Sequence, residues 1–420
     1  MSSPSPFRLR SVHSQAAHGG EQRRFLPDDQ ADLDRPQAVP VAAPLHPSVS
    51  YIYDRAEDLD AALGGDPDRF VYHRYGNPTV RAFEQAVAGL EAPDATSPGD
   101  VAAFATASGM AAIQLALMAA GAQAGAPIAV AQDCYGATFA LVEKLWSRLG
   151  AHGIFVDVYD LAQLERILAA ERPTLLLVET ISNPLLKVTD VAGLATLCHR
   201  YGTLLLVDNT FASPVLYRPL AQGADMVIHS ATKYIGGHGD VMAGVVVADS
   251  RFHATLWDHL KTTGATLGSF EAWLLLRGLK TLPMRMERQC DNARQVADWL
   301  VQHPAVDRVI FPGHAAHPQH DLATQMFGGR HFGAMISFEL KAGIREKVFA
   351  LFDALQMIQP ATSLGDLYTL ILYPAHASHR ALTVQQRAAL GIGDGLVRLS
   401  VGIEGVEDIV ADLDQALNRL

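Results

Sequence analysis

Short, continuous apolar runs alternate with helical patterns from about residue 83 onward, and this alternation restricts the possible folds more than any other feature of the chain. The apolar runs are 127–131, 153–158, 174–178, 203–207, 226–229 and 243–248. Helical periodicity separates them, for example at 161–170 and 191–201. Strands that are apolar throughout need cover on both faces, which is typical of parallel sheets with helices on each side. The sequence therefore predicts a doubly wound, mostly parallel α/β sheet.

The pattern changes after about residue 283. A long amphipathic segment covers 284–303, a loop rich in Gly, Pro and His follows at 311–320, and mixed strand and helix patterns continue to the last residue. We therefore predict a large domain at 81–283 and a smaller C-terminal α+β domain at 284–420. Residues 1–40 have no apolar period and are rich in Ser, Pro, His, Gln, Asp and Arg, which predicts a mobile arm.

The composition argues against several classes of protein. Lys and Arg number 33 against 44 Asp and Glu, and the resulting net charge of −11 argues against a nucleic-acid partner. Three cysteines without metal-type spacing are typical of a reducing, cytoplasmic compartment. Residues 101–132 carry no charge, but glycines and a proline interrupt this stretch and no basic cluster flanks it. We therefore predict a buried helix and strand there, and no membrane partner.

The segment 204–244 contains the residues that are most informative about chemistry. One apolar strand ends in Asp208 and a second runs into the sequence HSATK, which ends in Lys233. In an open α/β sheet, ligands bind beyond the carboxyl ends of the strands, so both side chains are predicted to face one crevice. An Asp beside a pyridine nitrogen and a Lys that forms a Schiff base are the groups that pyridoxal phosphate requires. Ser230 and Thr232 are suited to hydrogen-bond its phosphate.

Each of these residues alone has an ordinary explanation. An Asp that ends a strand is usually a turn or helix cap, and a lone Lys is usually a solvated surface charge. The combination of the two at buried strand ends favours the cofactor site.

A third feature is a hydrophobic strand that passes through Ser108 and Gly109 into a helix. The N–H groups of Gly109 and Met110 at this helix start are candidate phosphate donors, and a Ser108 cap without a ligand is the alternative.

Eight short motifs occur in the order found in one enzyme family. They are 72–79 (YHRYGNPT), 108–110 (SGM), 133–136 (DCYG), 179–184 (ETISNP), 208–210 (DNT), 230–234 (SATKY), 363–365 (SLG) and 398–402 (RLSVG). Through these motifs the chain resembles the Cys/Met-metabolism enzymes that use pyridoxal phosphate, over about residues 40 to 420. The resemblance implies the fold-type I architecture of pyridoxal-phosphate-dependent transferases.

The resemblance also implies a role for each matching residue. Lys233 forms the Schiff base with the cofactor and Asp208 pairs with the pyridine nitrogen. Tyr135 lies over the ring and shuttles protons. The remaining cofactor contacts come from Gly109, Met110, Ser230, Thr232 and Thr210, and from Tyr72 and Arg74 of a neighbouring subunit.

The substrate side of the site is implied in the same way. Arg398 holds the substrate α-carboxylate with help from Ser363 and Asn183, which suits the forked geometry of a guanidinium. Because the arm formed by residues 1–80 reaches a neighbouring subunit, the resemblance implies a homotetramer built from two dimers. The expected partner is a small-molecule sulfur amino acid.

Departures from the family pattern bear on the substrate. The strings at 135–140 (YGATFA) and 237–240 (GHGD) resemble those of methionine gamma-lyases, although these enzymes typically carry Cys where Ala137 stands. Ala140 and Tyr368 replace an Arg and a Glu that are suited to the distal end of cystathionine. We therefore predict γ-elimination from methionine or homocysteine, with Tyr368 in the substrate site. Cystathionine gamma-lyase or gamma-synthase activity and O-acetylhomoserine sulfhydrylation remain alternatives.

Other interpretations have less support. The histidines of 314–320 have a ligand-like spacing, but Pro318 breaks the periodicity and no Cys or carboxylate cluster accompanies them, so we predict no metal site. A noncatalytic protein that binds the cofactor would be expected to lack Lys233, Tyr135 or Arg398. A nicotinamide-dependent dehydrogenase would need a GxGxxG turn, and the chain contains none.

Overall fold

The computed structural model describes residues 11–20, 41–65, 69–93, 100–377, 380 and 383–420. Two sheets organise this part of the chain. The strands are β1 (Val101–Thr106), β2 (Pro127–Ala131), β3 (His152–Val156), β4 (Leu175–Glu179), β5 (Leu204–Asp208), β6 (Met226–His229), β7 (Gly244–Asp249), β8 (Val306–Ile310), β9 (Met335–Leu340), β10 (Gln359–Pro360), β11 (Leu370–Leu372) and β12 (Leu396–Ser400).

Helices cover both sheets. They are α1 (Val12–His18), α2 (Ala56–Leu63), α3 (Pro78–Glu91), α4 (Gly109–Ala119), α5 (Gly136–Ala140), α6 (Leu161–Glu171), α7 (Val191–Arg200), α8 (Ser213–Leu216), α9 (His253–Thr263), α10 (Ser269–Leu279), α11 (Leu282–Leu300), α12 (His320–Phe327), α13 (Arg345–Ala354), α14 (Val384–Ala389) and α15 (Val406–Leu417). A π-helical turn at Leu141–Trp146 and short 3-10 turns connect several of them.

The larger sheet has the order β1-β7-β6-β5-β4-β2-β3. Strands β6, β5, β4, β2 and β3 pair in parallel, whereas β7 runs antiparallel to both of its neighbours. Alternate residues of β4 enter different cores, with Leu176 in one and Leu177 in the other. Burial on both faces explains why these strands are apolar throughout. The predicted doubly wound α/β sheet is confirmed, with strand ends that differ by one or two residues.

The smaller sheet has the order β10-β11-β12-β9-β8 and is antiparallel except between β10 and β11. Helices α11, α13 and α15 pack around it, and this arrangement confirms the smaller C-terminal α+β unit. The domain boundary that we predict at residues 283 and 284 falls within the first turn of α11. The exact division of the chain into domains stays a prediction.

The N-terminal region contains an element that the sequence pattern does not predict. Residues Val12–His18 form α1, with Ala16 fully buried and Gly19 against Ala86 of α3. Because small residues make this contact, the sequence has no helical periodicity of large apolar residues that would predict α1. The expectation of a mobile arm is wrong for this segment, and the rest of residues 1–40 lies outside the described residues.

Among the described helices, none is both long and apolar enough to cross a membrane. Helix α4 lies in the uncharged stretch 101–132, between β1 and β2. This stretch is therefore a strand, a buried helix and a second strand, and the sequence predicts all three: the helix and second strand from the uncharged stretch, and the first strand from its passage through Ser108 and Gly109 into the helix.

Asp412 of α15 holds the chain that leads into β10. Its carboxylate accepts hydrogen bonds from the backbone N–H groups of Gln356, Met357 and Ile358 at 2.8–2.9 Å. Although burial alone would raise the pKa of this carboxyl, the three N–H donors favour its charged form and hold the pKa below the usual value. This contact fixes the approach to the loop that carries Ser363.

We predict that Asp412→Asn lowers the free energy of unfolding at neutral pH by about 1–3 kcal/mol, because buried N–H donors lose a charged acceptor. A carboxyl whose folded pKa is depressed stabilises the fold above its unfolded pKa, and that stabilisation disappears as the pH falls through the folded pKa. The difference between variant and wild type should therefore shrink from about pH 7 toward about pH 3. Urea denaturation at several pH values measures it, with the exposed Asp353→Asn as the control; a pH-independent difference would contradict the assignment.

Candidate active site

Neighbouring parallel strands of the large sheet place three titratable side chains at one edge. Strands β4, β5 and β6 end in Glu179, Asp208 and His229, and Glu179 and Asp208 occupy partner positions in the ladder. Lys233 follows β6 after a short turn. A cleft of about 450 Å³ opens beyond this edge. Its position agrees with the rule that ligands bind at the carboxyl ends of the strands in open α/β sheets.

Ten of the fourteen residues that we single out from the sequence line this cleft. They are Gly109, Met110, Tyr135, Asn183, Asp208, Thr210, Ser230, Thr232, Lys233 and Arg398. Ser363 is adjacent, since its hydroxyl lies 3.3 Å from the Lys233 Nζ atom.

The N-terminus of α4 forms one end of the cleft. A Cβ atom on Gly109 would lie 2.8 Å from the Ser230 side chain, so only glycine allows the helix to approach the end of β6 this closely. Ser108 caps the helix by accepting from the Ala111 N–H. Thr210 connects the neighbouring strand end by accepting from the Ser230 N–H at 2.8 Å. Helix N–H groups beside two hydroxyls form an environment suited to a phosphate.

Lys233 is held between the two sheets. Gly365, which has a φ of +78°, lets the loop after Ser363 touch the backbone of Lys233 and Tyr234. Burial lowers the pKa of the Lys233 amine, and the positive charge of Arg398 lowers it further. An amine with a lowered pKa is more often neutral, which suits it to attack an aldehyde and to accept a proton.

Asp208 and Glu179 lie side by side at the ends of neighbouring strands, in different electrostatic environments. Burial raises the pKa of Asp208, but hydrogen bonds from Thr210 and the charge of His229 oppose this effect. Burial also raises the pKa of Glu179, and the negative charge of Asp208 raises it further. The arrangement favours a negative charge on Asp208 and a proton on Glu179.

Glu179 also positions Tyr135. Its Oε1 atom accepts a hydrogen bond from the Tyr135 backbone N–H at 2.6 Å, at the start of α5. The Tyr135 side chain is 41% exposed and reaches the cleft opening. We do not single out Glu179 as a site residue from the sequence, although it ends a buried strand as Asp208 does, and this signal could have identified it.

Arg398 of β12 brings the small sheet into the site. Its NH1 donates to the Asn183 side chain at 2.9 Å and its NH2 to the Ser363 carbonyl at 3.2 Å, while its buried Nε lacks a protein partner. Burial lowers the pKa of this guanidinium to about 10. Within the described residues no carboxylate forms an ion pair with it. A buried guanidinium held by neutral groups is suited to bind an incoming carboxylate.

The other three predicted residues lie outside the lining of this cleft. Arg74 lines a separate cavity, where its guanidinium lies 4.8 Å from the Tyr75 ring centre and donates to the Lys261 carbonyl. The Tyr72 ring centre lies 5.8 Å from the same guanidinium, and Tyr368 is 53% exposed. The roles of Tyr72 and Arg74 stay predictions, because a single chain does not display contributions from a second subunit, and the role of Tyr368 in the substrate site stays a prediction as well.

The cleft lining also contains residues that the sequence patterns do not identify. They are Ile113, Ile181, Phe211, Met242, Thr362, Leu364, Leu372 and Ala377. These side chains come from separate segments and carry no charge, so no local motif distinguishes them from ordinary core residues.

The histidines of 314–320 are spread over different contacts. His314 lies 3.0 Å from an oxygen of Asp298, and His320 Nδ1 lies 3.0 Å from the Pro312 carbonyl oxygen. Burial lowers the pKa of His317 to about 4. The part of the chain that the structure describes contains no group of three or more His, Cys, Asp or Glu side chains placed to hold a metal ion.

The residues of the cleft fit pyridoxal phosphate. The α4 N-terminus with Ser230 and Thr232 provides an anion site at one end, and Lys233 provides an amine of lowered pKa. Asp208 provides a buried carboxylate at the closed side. These three features match the phosphate, the aldehyde and the ring nitrogen of the cofactor.

Comparison with known proteins shows that the chain is similar, in sequence and in structure, to several related enzymes. The chain is 41% identical over 387 residues to L-methionine gamma-lyase of Fusobacterium nucleatum subsp. polymorphum, covering 90% of this chain and 94% of that protein. It is 42% identical over 373 residues to O-succinylhomoserine sulfhydrylase of Pseudomonas aeruginosa, covering 88% and 89%. The crystal structure of cystathionine gamma synthase from Xanthomonas oryzae pv. oryzae, in complex with aminoacrylate and cysteine, superposes with a TM-score of 0.86 at 38% identity and covers 98% of each chain.

The family comparison agrees with these relatives. The family described as Cys/Met metabolism PLP-dependent enzyme matches residues 29–418, which include every motif quoted above. With its fold, its cleft and its sequence in agreement, the chain belongs to this family of pyridoxal-phosphate-dependent enzymes.

Proposed function

We propose that this chain catalyses γ-elimination of methionine- or homocysteine-type substrates, giving 2-oxobutanoate, ammonia and a thiol. The observation that carries the proposal is the distribution of charge in the cleft. The Asp, Glu, Lys and Arg side chains of its lining are Glu179, Asp208, Lys233 and Arg398, and under this proposal they surround the cofactor and the amino acid head group.

The rest of the lining is mostly apolar. We assign four of these residues, Met242, Leu364, Leu372 and Ala377, to the space that a γ-substituent would occupy, and we call them the outer wall. A methylthio group or a thiol can be buried there without penalty, whereas the second amino acid end of cystathionine would lose hydrogen bonds to water, at a cost of roughly 1–3 kcal/mol.

The protein's own groups would then carry out the steps around the substrate. Pyridoxal phosphate supplies an aldehyde that bonds the substrate amine and a ring that takes up electrons from the α-carbon. Arg398 would orient the α-carboxylate. The neutral amine of Lys233 would remove the α-proton, release it to the cofactor and then remove a β-proton. Tyr135 would deliver a proton to the departing thiol. Asp208 would hold the ring nitrogen, and Gly109, Met110, Ser230, Thr232 and Thr210 would hold the phosphate.

Replacement at the γ-carbon is the second candidate. It is supported by the 42% identity with an O-succinylhomoserine sulfhydrylase, which conserves the same family chemistry with a different outcome. The two reactions differ in whether an incoming thiol enters the site before the product is released.

The experiment that tests the proposed substrate is a comparison of methionine, homocysteine, cystathionine and O-succinylhomoserine, the last with and without sulfide. We expect 2-oxobutanoate from methionine or homocysteine with a higher kcat/KM than from cystathionine, because the outer wall is apolar. The variant Leu372→Arg should make kcat/KM higher for cystathionine than for methionine or homocysteine, because the new arginine can bind the distal carboxylate of cystathionine. Leu390→Arg, which lies outside the cleft lining, is the control. Formation of thioether or homocysteine product without 2-oxobutanoate would establish replacement instead.

We predict that Arg398→Lys lowers kcat/KM for the amino acid substrate by at least about 30-fold, because the buried forked contact to a carboxylate is lost. Cofactor content, measured by absorbance, should stay near the wild-type level. A decarboxylated analogue of methionine should react equally poorly with wild type and variant. The exposed Arg308→Lys serves as the control, and an unchanged kcat/KM in Arg398→Lys would contradict the role of Arg398.

We also propose that two chains share each site and form a homotetramer from two such dimers, in the cytoplasm. The segment before α3 supports the first point, because Ile52 is 98% exposed and Tyr72 and Tyr75 are about two-fifths exposed. An apolar surface of this kind requires cover. The three free, buried cysteines support a reducing compartment.

Subunit mixing tests the shared site. Lys233→Ala alone should lose both turnover and the visible absorbance of bound cofactor, and Arg74→Ala alone should lose cofactor affinity. When the two chains are co-expressed with different tags, the mixed dimer holds one site with both residues intact, so we expect part of the activity to return. The mixture of Lys144→Ala with Lys233→Ala is the control for exchange. Absence of recovery in verified mixed dimers would place Arg74 in the site of its own chain.

A further inference from the structure

A buried acid–histidine pair lies behind the cleft, outside its lining. His229, the last residue of β6, has its Nε2 atom 2.6 Å from Oε1 of Glu91, the last residue of α3. The side chains are 1% and 0% exposed. Sequence positions 91 and 229 are 138 residues apart, so no local pattern announces this contact.

Neutral groups complete the surroundings of the pair. The Asn209 side-chain amide lies 3.5 Å from Glu91 Oε1, donates to the Tyr217 carbonyl and accepts from the Thr180 hydroxyl. The second oxygen of Glu91 is buried without a protein partner. A carboxylate in such a position needs a cation, and His229 is the titratable group in contact with it.

The pair is connected to Asp208 through the sheet. Asp208 and Ile228 are partners in the β5–β6 ladder, so His229 follows directly beside the Asp208 position. Asp208 accepts from the Thr210 N–H, and Thr210 accepts from the Ser230 N–H next to His229. The charge of His229 lowers the pKa of Asp208 against the effect of burial. A positive charge behind the carboxylate thus favours its ionised form.

We propose that Glu91 and His229 are positioning residues that keep Asp208 ionised for the ring nitrogen of the cofactor. Glu91 holds the His229 imidazole in place through the 2.6 Å contact, and His229 favours the negative charge on Asp208. The proposal rests on the role given to Asp208 under the proposed function. Neither Glu91 nor His229 touches the cleft, so they act on the cofactor only through Asp208.

Two conservative variants separate charge from shape. In His229→Gln the amide nitrogen can still donate to Glu91, but the imidazole charge is absent. In Glu91→Gln the shape is kept, while the imidazole of His229 loses the carboxylate that it contacts. Both changes disrupt the same buried pair behind Asp208, so the double variant should be no worse than either single variant.

The test measures the dissociation constant of pyridoxal phosphate from apoenzyme by fluorescence titration, together with the visible absorption spectrum of the holoenzyme. We expect each single variant and the double variant to bind the cofactor about tenfold more weakly, the equivalent of about one pKa unit at Asp208. Their spectra should change in the same direction as that of Asp208→Asn. The matched control is His199→Gln, which alters a His–Asp contact of 2.9 Å at the opposite end of the sheet and should change neither measurement.

The outcomes distinguish the role of Asp208 from the roles of Glu91 and His229. If Asp208→Asn binds the cofactor as wild type does, the role of Asp208 under the proposed function is wrong. If Asp208→Asn weakens binding while both single variants keep wild-type affinity and spectra, the inference about Glu91 and His229 alone is overturned. Strictly additive losses in the double variant would also overturn it. Should His229→Gln fail to fold, Glu91→Gln carries the same test with its own spectrum.

Discussion

Burial of charge at the carboxyl edge of the large sheet is the constraint on which the rest of the site depends. Asp208, Lys233 and Arg398 are all removed from water, and burial shifts each pKa toward the neutral form. Removing a charged group from water is costly unless other groups compensate. The surrounding structure provides this compensation through backbone N–H groups, hydroxyls and amides, and these same groups leave donors and acceptors directed at a ligand.

Each of the two sheets contributes part of this buried group of charged side chains. The large sheet contributes the edge with Asp208 and the turn with Lys233, while β12 of the small sheet contributes Arg398. Contacts across the junction hold them in register: Asn183 accepts from Arg398, and Ser337 of β9 donates to the Pro184 carbonyl at 2.6 Å. Under the proposed function, a substrate bound between the sheets would have its carboxylate on one unit and its reacting carbon on the other. Relative movement of the sheets would change substrate binding and chemistry together.

The sequence patterns were sufficient where a physical signal is local. Apolar runs located β2 and β6 at their observed bounds, because strands buried on both faces need no partner information to be recognised. The strand-end rule placed Asp208 beside Lys233. Local signals failed for α1, whose only fully buried residue, Ala16, is too small to create a period. Glu179 was missed although it ends a buried strand as Asp208 does, because no lysine closely follows β4 to strengthen the signal.

The sequence by itself determined the family and the doubly wound sheet and predicted Lys233 as the reactive lysine, because these follow from motif order and from periodicities of a few residues. Only the tertiary structure decided which charges are buried together and what lies behind them. The Glu91–His229 contact and the apolar outer wall of the cleft join side chains from distant segments. Their energies depend on exposure and on distances of a few ångströms, and neither quantity is encoded in any short stretch of the chain.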